Sequence, residues 1–280
     1  MGISNWLRMS RRTAVIYLRE MKIAWLRARQ AQKEMQETDR LMKVRQQATD
    51  EYLASHMIRK LQVGTGENPL PGWLNTDVEP ATPGVLYINA CEHFPFKDCT
   101  FDYVLSEHML EHMPYKQGIN VLNEIFRTLR PGGRVRIATP DMVQFMGLLA
   151  ENKTDLQEKF LEWHSGQVLG LYSPEKSRLQ KLCPEWDIDY QHIQRYYPDG
   201  KRDSACFVVN NIFRSYGHQF LYDADTLRAA LSSAGFEDII QLAPDESPDE
   251  NLRGIDAHER LIGKEMNRLE TMVFEGVRPA

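Results

Sequence analysis

The stretch Lys60-Leu-Gln-Val-Gly64-Thr65-Gly66 puts a glycine turn directly after a short apolar strand, and Asp77 follows eleven positions beyond the second glycine. Neither glycine carries a Cβ and both can take positive φ, so the backbone there can approach a ligand closely. A carboxylate at the end of the next strand faces the same crevice and can accept hydrogen bonds from a ribose, which makes Asp77 the candidate for that contact. In a dinucleotide-binding βαβ unit the acid lies about 20 residues on, with a full helix between the strands. Here Pro69, Pro71 and Gly72 fill the gap, and proline inside a helix loses a donor and clashes with the preceding turn. The connection is predicted to be a loop, which counts against a nicotinamide-binding unit. Taken alone, Gly-x-Gly is also what any tight turn looks like.

A second group is His108-Met-Leu-Glu111-His112. It matches H-x-x-E-H, a zinc-peptidase pattern that needs several helical turns to aim two histidines at one ion. This copy follows a buried strand and meets Pro114 two residues later, so no metal is expected here.

The elements that must position these residues follow from periodicity. Strands are predicted at 60–63, 74–77, 84–89, 101–106 and 134–139, with a helix over about 116–130 ended by Arg130-Pro131-Gly132-Gly133. Asp223 is placed to cap a helix carrying Leu227, Leu231 and Ala234, which Gly235 stops. Residues 236–242 and 269–277 read as two late strands. Strands alternating with helical segments imply a parallel sheet with helices on its faces. Between the halves, residues 140–222 lack strand rhythm and hold Trp163, His164, Trp186, Tyr190, His192, Tyr196, Tyr197, Tyr216 and His218. That segment reads either as a substrate-binding lid or as a helical insertion whose aromatics form a satellite core.

Composition sets the bounds: 280 residues, 42% hydrophobic and 26% charged, fit one large domain with appendages. Cys91, Cys99, Cys183 and Cys206 show no metal-type spacing and suggest reduced thiols in the cytosol. Residues 1–30 hold seven Lys/Arg against one Glu, a net of +6 that leaves −11 for the rest. No secretory h-region and no apolar run of about 20 residues is present. Leu7, Ala14, Leu18, Met21, Trp25 and Ala28 recur at helical steps, so residues 1–50 are predicted to be a basic amphipathic helical extension. Such a helix can pack on its own domain, on a second subunit or on an anionic membrane surface. Nucleic acid is not expected as a partner, because the remainder is acidic.

Taken together, Leu61 to Gly66, Asn75 to Asp77, Asn89-Ala90 with Phe94-Pro95-Phe96, Phe101-Asp102 through Ser106-Glu-His-Met-Leu-Glu-His112, and Leu129-Arg-Pro-Gly-Gly133 resemble the class I S-adenosylmethionine-dependent methyltransferases, nearest to bacterial methyltransferase-domain proteins of type 11. The resemblance is strong over about 57–140, looser over 217–277, and absent from 1–50. It implies an α/β fold with a Rossmann-like, seven-stranded, mostly parallel sheet and flanking helices, spanning 57–280, with the long N-terminal helix and an inserted lid at 140–222. It implies S-adenosylmethionine as cofactor, with Gly64, Thr65 and Gly66 at its methionine part and Asp77 on the ribose. Asn89 stands where many members carry an acid that binds the adenine amino group, with Ala90 giving a backbone contact. Ser106, Glu107 and His108 would emerge at the crevice, Glu107 binding the methionine amino group. The helix usual between the first two strands is missing.

Methyl transfer from a sulfonium is an in-line displacement, and a base is needed only where the acceptor must lose a proton. Histidine suits that role near neutrality; His108 is the first choice, with His164, His192 and His218 as alternatives. The expected activity is methyl transfer to a hydroxyl of a small polar molecule or glycan, in the cytoplasm or peripherally at the inner membrane surface. The alternatives are a noncatalytic cofactor-binding or scaffold protein acting through residues 1–50, and a nicotinamide-dependent dehydrogenase.

Overall fold

A computed structural model describes residues 11–168 and 205–280. Trp186, Tyr190, His192, Tyr196, Tyr197 and Cys183 lie outside the described residues. The chain divides into two units, 1–55 and 56–280.

The described residues of the first unit form one helix, α1 (Arg11–Ser55), free of proline and glycine as the sequence requires. Met21, Ile23, Trp25 and Leu26 are exposed on it. Exposed pairs such as Arg40 with Glu37 at 2.6 Å and Gln46 with Asp50 at 3.1 Å brace its polar half, each adding a few tenths of a kcal/mol at about one helical turn's spacing. No described helix is long and apolar enough to cross a membrane.

The second unit is built on a seven-stranded sheet: β1 (Lys60–Val63), β2 (Leu74–Asp77), β3 (Leu86–Tyr87), β4 (Phe101–Glu107), β5 (Leu129–Pro140), β6 (Glu237–Leu242) and β7 (Thr271–Val277). The spatial order is β3-β2-β1-β4-β5-β7-β6. β1 to β5 run parallel, and β7 is antiparallel to both β5 and β6. The order reverses between β1 and β4, and a crevice outside the strand ends at such a point is where open α/β sheets bind ligands. Leu61, Val63, Val104, Leu105, Val135 and Ile137 are fully buried, as central strands covered on both faces must be.

Several element ends differ from expectation. β3 is two residues rather than six. β5 starts at Leu129, because Leu129 already pairs with Phe101 before Gly132, at φ 79°, turns the chain back onto the ladder. Helix α2 (Tyr115–Thr128) buries Val121, Leu122 and Ile125 against the sheet. No helix joins β1 to β2, as the prolines dictate.

After β5 come α3 (Met142–Gly147), capped by Asp141, and α4 (Asp155–Trp163), opened by a capping box of Thr154 and Gln157. A wide turn His164–Val168 follows, and α5 (Ala205–Arg214) resumes the description. Phe145, Leu148, Phe160, Leu161, Val208 and Ile212 bury one another in a second core. The described part of the insertion is therefore a packed helical layer. α6 (Ala224–Ser233) takes its cap from Asp223, whose side chain accepts from the Thr226 N–H, and Gly235 follows at φ 103°. Between β6 and β7 the chain forms two short helices absent from the sequence reading, α7 (Glu259–Ile262) and α8 (Lys264–Glu270). Leu269, expected to open the last strand, belongs to α8.

Candidate active site

The turn after β1 is held by its neighbour strand. The N–H groups of Gly64 and Thr65 both donate to the Thr76 carbonyl, at 3.0 and 3.1 Å, and the Thr76 N–H donates to Thr65 Oγ1 at 3.1 Å. Gly64 sits at φ 76° and Gly66 at φ 54°. A Cβ on Gly64 would collide with Met109, lying 2.7 Å from its Cβ, whereas one on Gly66 would meet nothing within 4 Å. Gly64 is thus fixed by packing as well as by φ, and Gly66 faces open space. Asp77 closes the loop: Oδ2 accepts from the Gly66 N–H at 2.8 Å and Oδ1 from the Glu79 N–H at 2.9 Å.

Two adjoining cavities meet at this turn. The larger, about 660 Å³, is walled by the turn, Asp77, Ile88, Asn89 and Ala90 on one side, and by Met109, His112, Gln117, Tyr216 and Gln219 on the other. The smaller, about 240 Å³, lies between Gly64–Asn68 and Glu107, His108, His258 and Leu261. Gly64, Thr65, Gly66, Asp77, Asn89, Ala90, Glu107 and His108 are therefore brought together.

Three of the expected roles need correction. Ser106 is 1% exposed and lines neither cavity; the pleat turns it into the sheet's packing. Glu107 lines the smaller cavity, but its carboxylate is shared with the loop before α7, accepting from the Ala257 and His258 N–H groups at 2.9 Å each. His108, at φ 47°, presents its ring to the cavities while both nitrogens turn inward. Thr271 Oγ1 donates to Asn267 Oδ1 at 2.8 Å, so it accepts from His108 Nε2, also at 2.8 Å. His108 Nδ1 faces Glu111 Oε1 at 3.3 Å. Burial works to lower the His108 pKa, but the Glu111 carboxylate, helped by Glu270 and Glu107, outweighs it and raises it. With no lone pair facing a cavity, His108 is not placed to take a proton from an acceptor.

His164 is 3% exposed, with Nε2 against Asn211 Oδ1 at 2.8 Å and its pKa lowered by burial; it belongs to the helical core. His218 Nδ1 donates to the Ile212 carbonyl at 2.6 Å, and its ring packs on His112 rather than lining the larger cavity. Asn89 is occupied within its own turn, Oδ1 accepting from the Cys91 N–H at 3.1 Å and Nδ2 donating to Glu92 at 2.8 Å. That leaves Oδ1 one lone pair for a ligand amino group.

Residues missed in the sequence complete the site: His258, stacked on His108 at 3.7 Å; Glu270, 3.3 Å from His258 Nε2; and Gln219, beside His112 on the larger cavity. His258 and Glu270 come from the segment around α7 and α8, which carries no periodicity to flag it.

Residues 70–137 match the family model of the methyltransferase domain. Over those residues the chain is similar to that domain. No curated protein matches the chain. Among solved structures it is similar to a SAM dependent methyltransferase from Archaeoglobus fulgidus, with 14% identity covering 85% of this chain and 93% of that one at a TM-score of 0.41. It is likewise similar to an S-adenosylmethionine dependent methyltransferase from Mesorhizobium loti, with 15% identity, 79% and 91% coverage and a TM-score of 0.40. Phosphoethanolamine N-methyltransferase 2 of Haemonchus contortus in complex with S-adenosyl-L-methionine shares 16% identity over 82% of this chain, at a TM-score of 0.38. The chain spans about half the length of that protein and of the CurJ carbon methyltransferase, 53% and 50%.

S-adenosylmethionine fits these residues on geometry. The Gly64 to Gly66 backbone admits close approach, Asp77 retains acceptor capacity beyond its two backbone bonds, and Ile88 with Met109 gives apolar walls beside the Asn89-Ala90 backbone.

Proposed function

We propose that this protein transfers the methyl group of S-adenosylmethionine to a hydroxyl of a small polar molecule or glycan. The observation that carries the reading is the larger cavity, which joins the Gly64–Gly66 turn and Asp77 to a polar wall of His112, Gln117, Tyr216 and Gln219. Its 660 Å³ falls within the roughly 300–1,000 Å³ usual for small-molecule sites. When bound, the cofactor supplies an electrophilic methyl on sulfur; the protein's part is alignment and exclusion of water. Gly64 and Gly66 would lie against the methionine part, Asp77 would accept from the ribose, and the polar wall would hold the acceptor in line. Glu107 holds the 257–258 loop beside the smaller cavity and keeps acceptor capacity for the methionine amino group.

Thermal melting with S-adenosylmethionine, S-adenosylhomocysteine and NAD tests this. A ligand at about 100 times its dissociation constant adds about 2.7 kcal/mol of stability. Stabilisation by the first two and not by NAD is expected; the reverse would restore the dehydrogenase reading.

A noncatalytic cofactor-binding protein acting through residues 1–50 is the second reading, favoured by the inward nitrogens of His108. It predicts binding without turnover across an acceptor screen. Exposed Met21, Ile23, Trp25 and Leu26 support a contact made through α1, with a second copy or with an anionic membrane surface at the cytoplasmic face. Solution mass and liposome pelleting of the full chain separate these two.

A further inference from the structure

Among the described residues, two groups of histidines and carboxylates bring ligand atoms within 4.8 Å of one another: His108, His258 and Glu270, and Glu111, His112 and His218. Their geometries differ in a way that decides between them. In the first, the rings of His108 and His258 stack with 24° between planes. In-plane lone pairs then run nearly parallel and do not converge on an ion. His108 Nε2 is also committed to Thr271, and His258 Nε2 to Glu270. In the second, the rings of His112 and His218 stand 68° apart with centroids at 5.0 Å, so in-plane lone pairs can cross at a point.

The surroundings of the second group are those of a ligand set. His218 Nδ1 donates to the Ile212 carbonyl, which fixes the tautomer and leaves Nε2 as the lone-pair nitrogen. Glu111 is fully buried; its Oε2 accepts from Thr139 Oγ1 at 3.0 Å, and its Oε1, 3.3 Å from His108 Nδ1, is the oxygen left to turn toward an ion. The two chain segments are joined by the Gln219 and Phe220 N–H groups, which donate to the Glu111 carbonyl at 2.7 and 3.2 Å, and by Gln219 Nε2, which donates to the His112 carbonyl at 2.9 Å. Tetrahedral bonds of about 2.0–2.1 Å place ligand atoms about 3.4 Å apart, so closing the triangle moves each atom by about 1 Å or less.

We propose that Glu111, His112 and His218 bind a divalent transition-metal ion of the zinc or iron(II) class, with an open coordination position toward the larger cavity that His112 lines. Two histidines and one carboxylate with an open position suit both ions. The H-x-x-E-H stretch thus contributes Glu111 and His112, and the third ligand arrives from 106 residues further on. Resting on the methyl-transfer reading, the ion would hold an acceptor hydroxyl and ease loss of its proton to solvent, the task His108 is not placed to perform.

The test is metal binding by the untagged full chain, stripped with chelator and titrated with Co²⁺ by visible absorption, then with Zn²⁺ in competition. One equivalent is expected, weakened at least about tenfold in His112→Ala and in His218→Ala and retained in His258→Ala and in exposed His93→Ala. Absence of stoichiometric binding by the wild type, equal binding in His112→Ala, or equal loss in His258→Ala overturns the proposal. His112→Ala decides alone if His218→Ala does not fold. Titration with S-adenosylhomocysteine in parallel separates the two ideas: cofactor binding without metal sinks the metal site only, and metal without cofactor sinks the methyl-transfer reading only.

Discussion

Asp77 Oδ2 accepts the Gly66 N–H at 2.8 Å while Oδ1 accepts the Glu79 N–H at 2.9 Å, so the acid and the glycine turn are one mechanical unit. Asp77→Ala releases both donors, and a hydrogen bond to a charged group contributes about 1.5–3 kcal/mol. Solvent reaches this carboxylate and reduces the loss, so Asp77→Ala is expected to lower the ligand-free stability by about 1–2 kcal/mol. Asp77→Asn, with one oxygen left, is expected to fall between. Urea denaturation of the three proteins checks the order.

The two glycines differ in what a methyl group meets. Gly64→Ala combines left-handed strain with overlap on Met109 and is expected to cost about 2–5 kcal/mol. Gly66→Ala carries the strain alone and is expected to cost about 1 kcal/mol. Equal losses in denaturation experiments would show that Met109 gives way.

Arg136 is buried at 0% exposure, with Nε on Asp256 at 2.8 Å and one terminal nitrogen on Glu275 at 2.6 Å. Asp256→Ala leaves the guanidinium underpaired and is expected to cost about 3–5 kcal/mol. Replacing Arg136, Asp256 and Glu275 together by apolar residues of similar volume is expected to recover most of that, as measured by denaturant midpoint.

Asp245 has its pKa raised from 3.8 to about 6, by burial first and then by the neighbouring carboxylates of Glu259 and Asp256. A folded-state value above the unfolded one means that the native state holds the extra proton between about pH 4 and 6, and loses stability as pH rises through that window. Asn tolerates the φ of 66° found at this position. Asp245→Asn is therefore expected to melt a few degrees above wild type at pH 8, with the gap closing below pH 4. A gap that persists at pH 3.5 would assign the effect to something other than this carboxylate.

The glycine turn, Asp77 at the end of β2 and the succession of strands along the chain up to β5 were legible because each is written locally, in a strand run, a glycine pair or a proline that forbids a helix. Gly263, at φ 87°, splits Glu259–Ile262 from Lys264–Glu270, leaving two helices too short to show a period. His258 and Glu270 were hidden for that reason. Nothing near Glu107 announces that it will bind backbone 150 residues away. Asp256 and Glu275, the partners that bury Arg136, stand 120 and 139 residues away from it in the sequence. His108 lines both cavities, yet which way its nitrogens face depends on Thr271 and Asn267, both from the far end of the chain.

The most direct measurement is calorimetric titration of S-adenosylhomocysteine into the full chain and into Asp77→Ala. One saturable site in the wild type, weakened about tenfold or more by loss of hydrogen bonds to the ribose, is the expected result. No binding by the wild type, or the same affinity in both proteins, would contradict the assignment of the Gly64–Asp77 crevice as the cofactor site.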